Sequence, residues 1–248
     1  MGSYAGGELP LFLEAHRFHQ YYVDLFGECI VGNVLEVGGG QGAITRHLLE
    51  CKPQRLTVCE PDADFAAILR DRFGEVAEIV PGRLDDVPAE AGSFDAIVYV
   101  DVLEHIGDDQ DEVRRAALRL KLDGTLVIGG PAHSWLYSPF DAAIGHWRRY
   151  DRQAIEALVR ASGLLRLERF KYFDSVGMVL SFGNRYLARR SMPSRKQIQF
   201  WNNVILPMSR GMDRVLQHRF GKSFVAVARR RPRLSMSEPR IVPARLRV

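Results

Sequence analysis

A chain of 248 residues is long enough for one well-buried domain with a lobe or lid, and two full domains would be cramped. Its apolar fraction of 46% and charged fraction of 26% are those of a soluble globular protein, and its net charge is +4. No apolar run approaches the roughly 20 residues that a membrane-spanning helix needs, so a transmembrane segment is not expected. The first residues contain neither a signal-peptide core nor a myristoylation motif. Three cysteines in no metal or redox spacing suit a reducing cytoplasm, where we expect the protein.

The charge is distributed unevenly along the chain. Residues 1–139 hold 11 basic and 23 acidic residues, whereas residues 140–248 hold 23 basic and 7 acidic residues. A basic half is typical of a solvated face or of a surface for an anionic partner. No aromatic residues interleave the basic stretches, so stable nucleic-acid binding is not expected. We predict one domain over 1–232 and a disordered basic tail over 233–248.

Apolar runs alternate with stretches of helical periodicity, the pattern of an α/β protein with a mainly parallel sheet. An amphipathic helix, Leu9–Phe26, is predicted ahead of the sheet, and a turn is predicted at Asp123-Gly124. The predicted strands are, in chain order, Asn33–Gly38, Arg55–Glu60, Ala77–Val80, Phe94–Val100, Thr125–Gly129, Leu165–Tyr172 and Ser223–Arg229. The predicted helices between them are Gly42–Cys51, Ala63–Phe73, Asp108–Leu120 and Arg152–Ala161.

About fifty residues between the sixth and seventh strands are not needed by the sheet. Apolar residues recur there every three or four positions, which predicts a helical pair over about 175–220 with a break near Pro207. These apolar residues are Ile198, Trp201, Ile205, Met208, Met212 and Leu216. We expect this insertion to cap the substrate side or to form a homodimer contact. Because basic residues accompany the apolar ones, a weak peripheral membrane contact is the alternative.

The strongest functional signal is an apolar strand that runs into a glycine-rich turn, V-L-E-V-G-G-G-Q-G over residues 34–42. A ligand can approach a backbone closely where side chains are absent, and the peptide N–H groups then face it. The turn also satisfies the dinucleotide pattern G-x-G-x-x-G/A through Gly38, Gly40 and Ala43. Glu36 favours a ligand with a cationic amino group over a pyrophosphate. Glu60 ends the second strand, where its carboxylate could accept hydrogen bonds from the hydroxyls of a ribose. A dinucleotide and a nucleoside with a cationic amino group would both use such a carboxylate.

The segment after residue 93 favours a cofactor with a cationic amino group over a dinucleotide. Residues 94–105 read F-D-A-I-V-Y-V-D-V-L-E-H, which resembles the fourth-strand segment of class I S-adenosylmethionine (SAM) methyltransferases. The turn also matches the E-x-G-x-G-x-G of that family through Glu36, Gly38, Gly40 and Gly42. The resemblance covers about residues 10–173. It implies a Rossmann-like sheet of seven strands, mostly parallel, with an antiparallel last strand.

The resemblance implies that SAM is the cofactor. Glu36 and the turn glycines would contact its methionine end, and Glu60 would contact its ribose. The implied neighbours of the adenine and of the rest of the site are Pro61, Asp62, Leu84, Asp101 and Val102. Arg83 departs from the acidic residue that many members carry before the position of Leu84, which leaves the role of its side chain open.

Methyl transfer is an in-line displacement in which the protein mainly positions the reactants and removes water. An oxygen or nitrogen nucleophile can also lose a proton to a positioned base. We predict His105 as that base because it follows the fourth strand and because histidine titrates near neutral pH. The alternative is a structural histidine packed at the start of a helix.

A second group of residues should overhang the same edge of the sheet. The motif G-H-W-R-R-Y over residues 145–150 resembles a pattern in a bacterial branch of these methyltransferases. His146 is a candidate second base, and Arg148 or Arg149 could clamp a substrate carboxylate or phosphate. The further substrate-binding candidates are Tyr21, His133 and Tyr150. Alternatively, Trp147 and Tyr150 anchor the loop while the arginines face water.

The residues Asp101, Glu104, His105 and His146 resemble the metal-binding set of some related magnesium-dependent methyltransferases. Asp101 replaces a glutamate of that set, and we predict no metal.

The function predicted is methyl transfer from SAM to an oxygen or nitrogen of a small metabolite, which could carry an acidic group. The alternatives are a SAM-binding scaffold without catalysis, an NAD-binding Rossmann protein and a nucleic-acid methyltransferase. An N-P-P-Y type segment after the fourth strand is absent, which counts against methylation of amino groups on bases.

Overall fold

The computed structural model describes residues 13–88, 90–180 and 194–232. Three predictions therefore fall wholly or partly outside the described residues: the start of the N-terminal helix at Leu9, the middle of the insertion, and the basic tail. None of the helices in the described part of the chain is long and apolar enough to span a bilayer.

Seven strands form one sheet in the order β3-β2-β1-β4-β5-β7-β6. β7 pairs antiparallel with β5 and β6, and the other neighbouring pairs are parallel. The strands are β1 (Asn33–Val37), β2 (Arg55–Glu60), β3 (Glu78–Pro81), β4 (Phe94–Val100), β5 (Leu120–Pro131), β6 (Leu165–Phe173) and β7 (Ser223–Arg230). β1 and β4 lie at the centre, and most of their side chains are buried and apolar, with Glu36 in β1 as a buried exception. The predicted Rossmann-like sheet is confirmed.

Helices cover both faces of this sheet, and an apolar core lies under each layer. They are α1 (His16–Asp24), α2 (Thr45–Glu50), α3 (Ala63–Phe73), α4 (Asp109–Arg119), α5 (Pro139–Ala143), α6 (Arg152–Ala161), α7 (Arg195–Phe200) and α8 (Leu206–Val215). Residues 175–180 are also helical. Local signals fix several starts: the side chain of Asp62 accepts hydrogen bonds from two backbone N–H groups of α3. α2 begins later than predicted because the glycine-rich turn extends beyond Gly42.

The turn predicted at Asp123-Gly124 is wrong, because these residues lie inside β5. Leu120 pairs with Phe94, and Thr125 pairs with Ala96, so residues 121–124 form a bulge within the strand. Asp123 has a φ of +62°, which allows the strand to bend and then resume its pairing. Asp123 and Gly124, residue types typical of turns, thus mark the place where the hydrogen bonding between β5 and β4 is interrupted. They do not mark the start of β5.

The break predicted near Pro207 is also wrong. α7 continues through a π-helical turn, Trp201–Ile205, directly into α8, near the start of which Pro207 lies. Proline cannot donate a hydrogen bond and crowds the carbonyl four residues before it. A wider turn just before the proline relieves both problems without ending the helix. Residues 195–215 therefore form one continuous rod, which we call the insertion rod.

Candidate cofactor and acceptor site

The glycine-rich turn lies at the edge of the sheet where the parallel strands have their carboxyl ends, which is where open α/β sheets bind ligands. Gly38, Gly40 and Gly42 have φ angles of +75°, +53° and +87°, a region that favours glycine. A Cβ at Gly38 or Gly42 would collide with Val102 or Phe73. A Cβ at Gly40 would have no atom within 4 Å, so this backbone faces open space. The turn is thus packed from behind and open in front, as a cofactor cradle requires.

Glu36 lies beneath this turn and is only 3% exposed. Thr45 of α2 donates a hydrogen bond to its Oε2 at 2.6 Å. Burial raises the pKa of Glu36 to about 8, since the charged form is poorly solvated, although the Thr45 bond opposes the shift. A neighbouring cation would restore the carboxylate. The site therefore fits a ligand that brings a positive amino group.

Glu60 at the end of β2 closes the other side of the turn. Its Oε2 accepts a hydrogen bond from the Gly40 N–H at 2.7 Å, and its Oε1 accepts one from the Asp62 N–H at 2.9 Å. Burial raises the pKa of Glu60, and these two N–H groups oppose the rise. Each carboxylate oxygen can accept more than one hydrogen bond, so capacity remains for two ribose hydroxyls. Pro61 follows as an exposed residue.

The residues after β4 lie next to the turn. Val102 packs on Gly38, and Asp101 has a φ of +54° with its carboxylate facing α1. There the Tyr22 hydroxyl donates a hydrogen bond to Asp101 Oδ1 at 2.9 Å. α1 therefore closes over this edge through Tyr22.

Three donor groups meet just beyond Val102. The ligating atoms of Glu104, His105 and His146 all lie within 4.8 Å of one another. The His105 and His146 rings are in edge-to-face contact with centroids 4.6 Å apart. His146 Nδ1 lies 3.0 Å from Asp141 Oδ1, and its Nε2 lies 3.8 Å from Glu104 Oε1. We call Glu104, His105, Asp141 and His146 the acceptor cluster.

Burial controls the protonation of this cluster. Glu104 is fully buried with no hydrogen-bond partner for either carboxyl oxygen in the described residues. Burial, reinforced by the charge of Asp101, holds the pKa of Glu104 well above its ordinary value. Burial and the proximity of His146 lower the pKa of His105 to about 4, against the opposing effect of a hydrogen bond with the Gly145 backbone. The His105 ring is therefore unprotonated at neutral pH.

Residues 35–128 match the family described as the methyltransferase domain. A probable SAM-dependent methyltransferase of Mycobacterium tuberculosis is 28% identical over 152 residues, which cover 60% of this chain and 55% of that protein. The ribosomal RNA small subunit methyltransferase A of Paramagnetospirillum magneticum is 39% identical over only 70 residues, 28% of this chain and 24% of that protein. A SAM-dependent methyltransferase structure from Archaeoglobus fulgidus shares the fold, with a TM-score of 0.60 at 11% identity, covering 87% of this chain and 94% of that chain.

Residues 35–128 are thus similar to a methyltransferase domain, and the chain has the fold of the SAM-dependent methyltransferase structure. The Mycobacterium relative is named as SAM-dependent, which agrees with the cofactor that the sequence resemblance implies. The chain spans about half the length of the Mycobacterium relative. The matched residues 35–128 include the glycine-rich turn, Glu60 and the first two residues of the acceptor cluster.

Arg148 and Arg149 form ion pairs with carboxylates of the protein itself. Arg148 donates to Asp109 Oδ2 at 2.6 Å, and Arg149 donates to both carboxylate oxygens of Asp141 at 2.8 and 3.0 Å. Their charges are thereby neutralised, so the geometry does not support the predicted clamp on a substrate anion. Tyr150 is buried, and its hydroxyl also donates to Asp109. Tyr150 thus anchors the loop, as in the alternative interpretation. The arginines also hold the loop through their ion pairs, although Arg148 is 34% exposed.

Three other predicted site residues lie away from the acceptor cluster. The Tyr21 hydroxyl donates to Asp213 in the insertion rod at 2.9 Å, so α1 directs Tyr22 toward the site in its place. His133 stacks on Tyr172 with ring centroids 4.7 Å apart. Leu84 is fully buried in the core, so its side chain packs there and does not line an open surface.

Sequence analysis missed Asp141, although the structure makes it the link between His146 and Arg149. Its carboxylate also accepts two hydrogen bonds from Ser138, from the backbone N–H and from the side chain. This Ser-x-x-Asp pattern is a helix-start signal, which could have placed α5 and its acidic residue beside the motif at 145–150. Burial alone would raise the pKa of Asp141, but the hydrogen bonds from His146 and Arg149 hold it far below its usual range.

We expect the substitution Asp141→Asn to destabilise the protein by about 3 kcal/mol at pH 7, because it leaves Arg149, whose side chain is only 14% exposed, without its counter-charge. The loss is measured as the change in the free energy of unfolding in urea. Since the pKa of Asp141 is lowered, the native protein should lose this contribution only in acid, below the ordinary Asp range. Glu156→Gln removes the exposed ion pair with Arg152 and is the matched control, with a cost of at most about 1 kcal/mol. Equal effects of the two substitutions would contradict the role of Asp141.

Proposed function

We propose that this protein transfers the methyl group of SAM to an oxygen or nitrogen of a small metabolite, with His105 as the proton acceptor. The observation that carries the proposal is the half-buried ring of His105, which lies three residues after Val102, contacts His146 edge-on and has a lowered pKa. Because the chain covers only part of the Mycobacterium relative, both the activity and the acceptor remain proposals.

The residues of the turn fit the cofactor. Glu36 would hold the amino group of SAM, the open backbone at Gly40 would face its methionine end, and Glu60 would accept hydrogen bonds from its ribose. The bound cofactor supplies a methyl group already activated by the sulfonium. The protein then has to position the acceptor in line, exclude water and accept one proton.

The acceptor cluster meets the last of these requirements. His105 is unprotonated across the neutral range and can take a proton from a hydroxyl or amine, although its lowered pKa makes it a weaker base than the near-neutral histidine expected from the sequence. His146 packs edge-on against it, and Asp141 fixes the ring of His146 from the other side. His146 is therefore a positioning residue in this proposal. The acceptor is not required to be acidic, because Arg148 and Arg149 are already paired.

The decisive experiment is calorimetric titration with SAM followed by detection of S-adenosylhomocysteine across a panel of metabolites. We expect SAM binding and a product with at least one hydroxyl- or amine-bearing compound. SAM binding without turnover on any metabolite or nucleic acid would indicate a scaffold, and methylation of RNA or DNA alone would indicate a nucleic-acid enzyme. Binding of NAD in place of SAM would overturn the assignment of the turn.

We predict that catalysis needs no metal, although Glu104, His105 and His146 offer ligands at suitable spacing. Turnover after exhaustive treatment with EDTA should equal that of the untreated protein, measured as the initial rate of S-adenosylhomocysteine formation. A loss that added Mg²⁺ or Mn²⁺ restores would instead make these three residues a metal site. SAM affinity, measured in parallel, separates a metal effect on acceptor chemistry from damage to the cofactor turn.

A further inference from the structure

The insertion rod has one face buried in the domain. Its inner side chains recur at the spacing of one helical face and are at most 7% exposed: Ile198, Asn202, Ile205, Leu206, Ser209 and Asp213. Asp213 accepts hydrogen bonds from Tyr21 on α1 and from the backbone of residues 174 and 175 after β6. This face fixes the orientation of the rod on the domain.

The opposite face is apolar and open to solvent. Side chains two positions beyond the buried ones point about 200° away from them. On that face lie Phe200, Val204, Met208 and Val215, which are 57%, 44%, 57% and 78% exposed, and Met212 beside them is 46% exposed. Two exposed apolar residues at the end of helix 175–180, Val179 and Leu180, belong to the same insertion. Exposed apolar surface that recurs along a whole helix marks a contact with a partner or a membrane.

The charge of the insertion rod and of the loop after it has one sign. Between residues 194 and 221 the basic residues are Arg195, Lys196, Arg210, Arg214 and Arg219. The one acidic residue in this range, Asp213, is buried. Two of the arginines are paired with α1 and the residues before it, Arg195 with Glu14 and Arg210 with Asp24. Lys196, Arg214 and Arg219 have no acidic partner among the described residues, so three unpaired cations accompany the exposed apolar side chains of the rod and the loop after it.

The rod also lies beside the acceptor edge of the sheet. Trp201 packs on Phe18 of α1 with ring centroids 4.6 Å apart, and its Nε1 donates to Asp174 at 2.8 Å. Asp174 directly follows β6, whose carboxyl end lies at the same edge as the cofactor turn. A surface bound to the outer face of the rod would thus lie next to the helix that closes over the site.

We propose that the insertion rod docks this protein on an anionic lipid surface, with its outer apolar face in the headgroup region. Apolar side chains enter the boundary between headgroups and acyl chains, and flanking Arg and Lys residues bind acidic headgroups, as in interfacial amphipathic helices. This inference does not depend on the methyl-transfer proposal, because it concerns binding alone.

A second copy of the chain fits this face less well. Two identical rods in a symmetric contact would bring Arg214 and Arg219 toward the same cationic surface of the partner. The rod offers no exposed carboxylate to compensate them. A membrane rich in acidic lipid supplies the missing charge.

Co-sedimentation of the full chain with vesicles tests the proposal. We expect binding to phosphatidylcholine vesicles that contain 30% phosphatidylglycerol, and at least tenfold weaker binding to pure phosphatidylcholine. Binding should weaken with salt, since screening acts on the cationic contribution. The substitutions Met208→Glu and Met212→Glu together should reduce binding at least tenfold.

Matched substitutions at exposed apolar residues elsewhere provide the control. Val76 and Leu122 are 63% and 62% exposed, so Val76→Glu and Leu122→Glu add the same charges to a different surface. The control protein should bind vesicles as the native chain does. No binding to either vesicle, or equal losses in the two double variants, would overturn the proposal. A dimer in sedimentation velocity that Met208→Glu and Met212→Glu dissociate, without vesicle binding by the native chain, would show that a second copy covers the face.

Discussion

Gly40→Val should abolish SAM binding while the protein remains folded. The new side chain would enter the open space in front of the turn, where a Cβ on residue 40 would have no protein atom within 4 Å. It would therefore clash with the cofactor and not with the domain. We expect the dissociation constant for SAM, measured by calorimetry, to rise at least 100-fold, which corresponds to about 2.7 kcal/mol.

A matched control separates this clash from backbone strain. Gly163 also has a positive φ, +65° against +53° for Gly40, and a Cβ there would also meet nothing within 4 Å. It lies between α6 and β6, at the opposite edge of the sheet from the cofactor turn. Gly163→Val should cost a similar amount of stability, because valine is strained at such angles, yet it should bind SAM normally. If both variants bound SAM equally well, the turn would not hold the cofactor.

His105→Ala should lower turnover by roughly 100-fold or more and leave the affinity for SAM unchanged. The reason is that the ring accepts a proton at the acceptor and does not touch the cofactor turn in the proposed arrangement. The measurement is the rate of S-adenosylhomocysteine formation at saturating SAM, with calorimetry for the affinity. His105→Gln keeps a polar side chain without a basic ring and should be equally slow.

His218→Ala is the control for the loss of a partly buried histidine. Its Nδ1 lies 3.2 Å from the carbonyl of Tyr172, and burial lowers its pKa as it does for His105. This variant should retain native turnover, because the ring lies outside the acceptor cluster. Native turnover of His105→Ala would reduce His105 to a packing role.

The pH dependence gives an independent check on His105. A base must be unprotonated to act, and the pKa of His105 is lowered to about 4. The rate should therefore show no acidic limb from pH 8 down to about 5, and it should fall only as the pH approaches 4. A limb centred near the ordinary histidine pKa of about 6.5 would point to another base.

Most of the fold could be read from the sequence because it depends on local patterns. The strands β2 and β4, and the helices α3 and α6, begin and end where the apolar periodicity predicted. Glu36, Glu60 and the turn glycines lie together because parallel strands bring consecutive carboxyl ends to one edge. The two errors, at Gly124 and Pro207, have one cause. Each residue interrupts the regular backbone hydrogen bonding locally, but a bulge in β5 or a π-helical turn accommodates it. The packed strand or helix therefore continues.

The sequence by itself therefore predicted the sheet and the glycine-rich turn, since both follow from short-range pattern and spacing, and its family resemblance implied SAM as the cofactor. Only the tertiary structure decided which charged groups are paired, that Asp141 neutralises Arg149, that Tyr22 and not Tyr21 faces Asp101, and that the insertion rod turns its apolar face outward. The physical reason is that the pairing and burial of a side chain depend on residues far away in the chain. Arg148 pairs with an aspartate 39 positions before it, and Tyr21 with one 192 positions after it.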